Sequence, residues 1–99
     1  MRWVAIFTDR PGALDVRAAQ AEAHFAYLEA NRAKIRLAGG VRDEPELPPD
    51  GGLWILDDII DRAEAIRLCE ADPFFTAGLR ESYVLKAWGF APCYADVVI

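Results

Sequence analysis

Along the chain the spacing of apolar and polar positions switches four times between a strand period and a helical one, and each switch marks a new element. Residues 2–8 are rich in β-branched and aromatic side chains and predict a first strand. Asp9-Arg10-Pro11-Gly12 is a turn signal, because proline fixes one backbone angle and glycine accepts positive φ. Over residues 15–33 the period becomes helical. Ala18, Ala21, Phe25 and Leu28 recur three and four apart as one apolar stripe, Arg17, Gln20, Glu22, Glu29 and Arg32 supply the polar remainder, and Asp15 fits the N-cap. Residues 34–43 alternate as a second strand, interrupted by Gly39-Gly40, where a bulge or a close approach to the backbone is expected. The proline- and glycine-rich residues 44–52 predict a loop, and residues 53–57 a third strand.

Asp61 fits the N-cap of a second helix, with Glu64 three positions on in a weak capping box. Ala65, Leu68 and Cys69 give that helix an apolar face. It ends near Ala71, because Pro73 disfavours a helical backbone at Asp72; Asp72 is then placed to cap the short turn that Pro73 opens, and Gly78 closes it. In residues 80–90, Tyr83, Leu85 and Ala87 share one side of a last strand, and Val84, Lys86, Trp88 and Phe90 the other. Residues 91–99 form a tail whose Val97-Val98-Ile99 end suits either an edge strand or packing on a partner.

The order β-α-β-β-α-β is that of an α+β, ferredoxin-like plait: a four-stranded antiparallel sheet with two helices on one face. We read residues 1–90 as the domain and 91–99 as an appended tail. The second sheet face is bare in a single copy. Large rings at Trp54, Tyr83, Trp88 and Phe90 lie on the last two strands, and some must point to that face, so a second copy of the sheet is the simplest cover. A chain of 99 residues buries only roughly two thirds of its unfolded surface, which also favours a homodimer or higher oligomer.

Charge narrows the partners. Sixteen acidic against eleven basic residues give a formal net charge of −5, which disfavours nucleic acid and anionic membrane surfaces. No apolar stretch approaches the ~20 residues of a membrane span, and no signal peptide is visible, so a cytoplasmic location is the expectation. The two cysteines, Cys69 and Cys93, belong to no CxxC pair or Cys/His cluster, so no metal site is expected. Cys69 fits a buried apolar position. No phosphate-binding glycine loop, nucleophile elbow or other cofactor signature is present, so none is expected.

Three segments stand out together: His24-Phe25-Ala26-Tyr27-Leu28 followed by Arg36-Leu37-Ala38-Gly39-Gly40; Ala63-Glu64-Ala65; and Ala71-Asp72-Pro73-Phe74-Phe75-Thr76-Ala77-Gly78-Leu79 followed by Lys86-Ala87-Trp88. Over roughly residues 2–90 the chain resembles the YciI-like (YCII-related) family. That pattern has a helix-borne histidine, a strand with Ala-Gly, an Asp-Pro-(aromatic)-x-x-Ala-Gly segment and a closing strand ending in Lys/Arg-x-aromatic. The resemblance implies a dimeric α/β-barrel type of domain and a histidine–aspartate active site, matched here by His24 and Asp72. It also implies, for some relatives, dehydrochlorination of hydroxylated aromatics. Gly39-Gly40 and the extra tail depart from the pattern.

His24 is the only histidine. An imidazole both takes and gives a proton near neutrality, and a neighbouring carboxylate fixes its tautomer. Asp72 is far away in sequence, so only the fold can unite them; a helix histidine satisfied by a carbonyl or water is the plain alternative, as simple capping is for Asp72. Arg36 and Arg42 suit an acidic or phenolate group but equally a solvated strand. Gly39 and Gly40 suit ligand approach or a bulge, and Phe75 suits a pocket wall. The catalytic candidates are therefore His24 and Asp72, and the ligand-binding candidates Arg36, Gly39, Gly40 and Phe75. Two functions fit: cofactor-free proton transfer (elimination or isomerisation) on a small polar or aromatic molecule, or a non-catalytic small-ligand-binding or accessory interaction domain. The enzymatic reading expects an accessible hollow beside His24 and a melting temperature nearly unchanged in His24→Ala.

Overall fold

The computed structural model describes residues 1–99. Four strands, β1 (Arg2–Asp9), β2 (Ile35–Val41), β3 (Gly51–Leu56) and β4 (Arg80–Trp88), pair antiparallel in the order β2-β3-β1-β4. Between them lie α1 (Leu14–Ala30), α2 (Arg62–Ala71) and the one-turn α3 (Pro73–Thr76). This is the expected ferredoxin-like α+β plait. No helix is long and apolar enough to cross a membrane.

The strand period of two decides what is buried. Ala5 and Phe7 of β1, with Trp54 and Leu56 of β3, point toward the helices. They pack with Ile35, Ile60, Ala65, Leu68 and Cys69 into one core. Each large apolar side chain so buried stabilises the fold by about 1.5–3 kcal/mol. The alternate residues Ile6, Leu37, Leu53, Val84 and Trp88 are exposed on the opposite face. Of the four large rings, Trp54 and Tyr83 therefore serve the helix side, and Trp88 the bare side.

Helix α1 departs from the expected stripe. Phe25 is 65% exposed and Ala18 is exposed, whereas His24 is buried and Tyr27 and Leu28 are half-buried. The inward face runs Arg17, Gln20, Ala21, His24, Tyr27, Leu28, so it carries polar groups that an apolar-stripe reading assigns outward. Its N-cap is Ala13 with no side-chain bond, and Asp15 sits in the first turn instead. Helix α2 follows expectation: the Asp61 carboxylate accepts from the Glu64 N–H at 2.8 Å. Glu64 turns its own side chain to Lys34 at 2.6 Å rather than closing a box. Asp72 ends α2 in extended backbone and caps α3, accepting from the Phe74 N–H at 3.2 Å. Gly78, at φ +84°, reverses the chain into β4.

Irregular pairing sits elsewhere than at Gly39-Gly40. Those two pair regularly with Leu53 and Gly52, and the register shift falls between Ile35 and Leu37, making Arg36 the extra residue. A second shift, between Thr8 and Asp9 opposite Ser82 and Arg80, leaves Glu81 unpaired in β4. The tail forms a short 3₁₀ turn, Pro92–Tyr94, and no fifth strand. It folds back to make an apolar hollow of about 340 Å³ with Trp88 and Phe90.

Candidate active site

His24 reaches the interior because it shares the inward face of α1 with Ala21, Tyr27 and Leu28. Asp72 reaches the same point because Pro73 stops α2 there and makes residue 72 the cap of α3. Their side chains meet at 2.7 Å, Nδ1 to Oδ1, across 48 residues of sequence. His24 is 6% exposed and Asp72 fully buried. A carboxylate only accepts, so Nδ1–H donates to it, and in the neutral imidazole Nε2 keeps its lone pair. Nε2 has no protein hydrogen-bond partner and is not among the sealed polar atoms, so the residual exposure of the ring includes it. Asp72 Oδ1 holds both the imidazole and the Phe74 N–H, while Oδ2 makes no hydrogen bond to the protein. One carboxylate thus caps a helix and orients a histidine.

Phe74 supplies the wall. Its ring stacks on the imidazole, centroids 3.8 Å apart and planes 11° from parallel. On the outer side lies Phe25, its ring 5.6 Å from the imidazole. Tyr27, one turn from His24, donates its hydroxyl to the Leu68 carbonyl at 2.6 Å. Burial, then the nearby Asp72 charge, pushes that phenol up to about 12. The Cys69 thiol is likewise pushed up to about 12, by burial first and then by Glu70 and Asp72. Both stay protonated at neutral pH.

Beyond Phe74 lies a group absent from the sequence reading. Asp9 accepts from Arg17 Nη2 at 2.6 Å and from Arg80 Nη1 at 2.7 Å. The Arg80 side chain is 2% exposed. Two cations share one carboxylate, so the cluster carries one excess positive charge. Both guanidinium carbons lie about 5 Å from the centre of the Phe74 ring. One signal was legible: Arg17 precedes His24 by seven residues, two helical turns, and so shares its face. The pairing of Asp9 with Arg80 depends on the β4 bulge and was not.

The remaining candidates lie apart from the imidazole. Arg36 is exposed at the start of β2, donating to Asp57 at 3.2 Å, where the Ile59 N–H holds the Asp57 carboxyl below its ordinary range. Arg42 donates to the Leu47 carbonyl. Gly39 has open space around it, and Gly40 abuts Pro49. Phe75 turns its ring edge-on to Tyr83, centroids 5.9 Å apart; Phe74 is the residue on the histidine. The expected hollow is missing as well. Neither His24 nor Asp72 lines any of the chain's principal hollows, because Phe74 and Phe25 occupy the space beside the imidazole. A hollow of about 410 Å³, lined by Asp9, Ala13, Leu14 and Leu79 among others, adjoins the arginine cluster instead.

The YCII-related domain matches residues 1–89. The chain belongs to the YCII-related family. No curated protein sequence matches it. Among solved structures it is similar to the family's 5-chloro-2-hydroxyhydroquinone dehydrochlorinase (TftG) from Burkholderia phenoliruptrix AC1100, in complex with 2,5-dihydroxybenzoquinone. That likeness has 30% identity and a TM-score of 0.82, covering 92% of this chain and 96% of that one. Protein Atu4242 from Agrobacterium tumefaciens is similar in fold, with 20% identity and a TM-score of 0.52 over 93% of this chain and 95% of that one. The YCII-related match stops ten residues short of the C-terminus, so the tail hollow belongs in part to sequence beyond it.

Proposed function

We propose that this chain is a cofactor-free lyase acting on a small hydroxylated ring that carries a leaving group. His24 is its general acid/base, and Asp72 holds the imidazole in one tautomer. The observation that carries this is the 2.7 Å contact between His24 Nδ1 and Asp72 Oδ1, beside an Nε2 that has no protein partner. The likeness to a dehydrochlorinase at 30% identity supports the substrate class. For a chlorinated hydroquinone, a proton moves from a ring oxygen to the carbon bearing chlorine. Loss of a second hydroxyl proton then drives chloride out with the C–Cl electron pair and leaves a quinone. Protons and chloride alone leave, so no electron acceptor is needed, and one residue that takes and returns protons is enough.

Reactant reaches Nε2 past Phe25, the exposed ring at that edge. The excess positive charge of Arg17, Asp9 and Arg80 favours an ionised phenol nearby. The bare sheet face belongs to a second copy of the chain, since five large apolar side chains stand exposed on it and a two-fold contact covers both copies at once. Residues 1–90 then make the shared domain, with 91–99 at its rim.

The test is chloride release from 5-chloro-2-hydroxyhydroquinone. Turnover by the wild type, with kcat down about 100-fold or more in Asp72→Asn, supports the assignment, since a misset tautomer costs that much in comparable dyads. Equal rates in the two proteins refute it. The closed surroundings of the pair favour one second reading, a structural clamp between α1 and α3 in a non-catalytic ligand-binding domain. In that case Asp72→Asn lowers stability, and neither protein releases chloride.

A further inference from the structure

Phe74 touches more than the imidazole, and what it touches is unusually constrained. The Arg80 guanidinium lies 4.4 Å from the centre of the Phe7 ring and 5.1 Å from that of Phe74. Its Nη1 donates to Asp9, and its Nε has no hydrogen-bond partner, so flat contact with rings rather than a second acceptor holds that side of the group. Three features of the fold exist around it. The β4 bulge at Glu81 turns Arg80 and Asp9 onto the helix side together. Gly52 leaves the floor open: a Cβ there would lie 3.0 Å from Arg80 Nη2. Asp9 ties Arg80 to Arg17, which stands two turns before His24 on the same helix.

We propose that Arg80 is a positioning residue for the histidine, acting through Phe74. The succession Phe7, Arg80, Phe74, His24, Asp72 is a continuous line of contacts from the core of the sheet to the dyad. Asp72 fixes one nitrogen of the imidazole, and a single hydrogen bond leaves the ring free to pivot about it. The Phe74 ring fixes the plane, and Arg80 fixes Phe74. The charged or titratable groups facing this line are Asp72 from the α2–α3 junction, Cys69 from α2, Tyr27 and Arg17 from α1, Asp9 from β1 and Arg80 from β4. The inference rests on the proton-transfer reading for its catalytic consequence, and on the structure alone for its geometry.

The chain has one histidine, so its imidazole gives one unambiguous set of NMR resonances in the full-length protein. In the wild type these are expected to be displaced by the stacked Phe74 ring, with a slowly exchanging Nδ1–H. Arg80→Lys keeps the charge and a donor for Asp9 but loses the plane. Gly52→Ala disturbs the guanidinium without altering it. Both are expected to move the imidazole resonances toward their unfolded positions and, with 5-chloro-2-hydroxyhydroquinone as probe, to lower kcat about 10- to 100-fold at unchanged KM. In a Phe74→Leu background, Gly52→Ala has no further effect on the imidazole, because the relay is gone. Wild-type resonances and kcat in both Arg80→Lys and Gly52→Ala overturn the proposal. If instead Asp72→Asn leaves the imidazole signals and kcat unchanged, it is the dyad reading that fails.

Discussion

A buried histidine bonded to a fully buried carboxylate is costly to disturb. Removing the imidazole leaves the Asp72 charge unpaired in the interior, which in comparable buried pairs costs about 3–5 kcal/mol. His24→Ala is therefore expected to melt well below the wild type, contrary to the expectation from sequence, which took the ring to be accessible. His24→Gln keeps a donor for Asp72, so its melting temperature falls less while its turnover is lost; calorimetry on both variants checks the order. The thiols differ in the same way. Cys93 is exposed, whereas Cys69 is buried and its ionisation is pushed up to about 12. A thiol reagent at neutral pH should titrate one fast equivalent in the folded protein and the second only in denaturant. Fast reaction of both would show that α2 does not seal Cys69.

Elements are held by a few local devices whose loss has a measurable size. Asp61→Ala removes the α2 cap and is expected to cost about 1 kcal/mol in denaturant unfolding. Tyr27 ties α1 to α2 through the Leu68 carbonyl, and Tyr83 ties β4 to α2 through Glu70 at 2.6 Å. Folding raises the pKa of both phenols, Tyr27 through burial then Asp72, Tyr83 through burial then Glu70. Their contribution to stability is full below pH 10. Above it the unfolded tyrosines lose protons that the folded ones keep, so stability falls as pH rises toward 12. Tyr27→Phe should flatten that decline in alkaline melts. The same elements show what was legible. Strands, turns and the second helix were readable because their signals are local: alternation, Pro-Gly turns, Asp61, Asp72 before Pro73. The inward face of α1 was not, because the polar residues Arg17, Gln20 and His24 occupy it. A hydrophobicity pattern assumes that what faces inward is apolar. The placement of Arg36 was hidden for a related reason: it is the extra residue of a bulge and bonds Asp57, and no spacing announces a bulge.

At the scale of the whole molecule, a four-stranded sheet is covered on one side only. The pairing of His24 with Asp72 was foreseen from the family pattern, but the surroundings were not. Phe74 rather than Phe75, and the Arg17–Asp9–Arg80 cluster, emerge only when α1, α3, β1 and β4 converge. The bare face predicts self-association. Val84→Lys places a charge amid Ile6, Leu53 and Trp88, and is expected to convert a dimer into a folded monomer in sedimentation, with an unchanged circular dichroism spectrum. A wild-type protein that sediments as a monomer would refute the two-copy sheet. The direct test of the proton-transfer site is a crystal structure with 2,5-dihydroxybenzoquinone. With Phe25 swung aside, a quinone oxygen is expected about 3 Å from His24 Nε2. A quinone bound away from that nitrogen, with Phe25 and Phe74 still closed on the imidazole, would contradict the account.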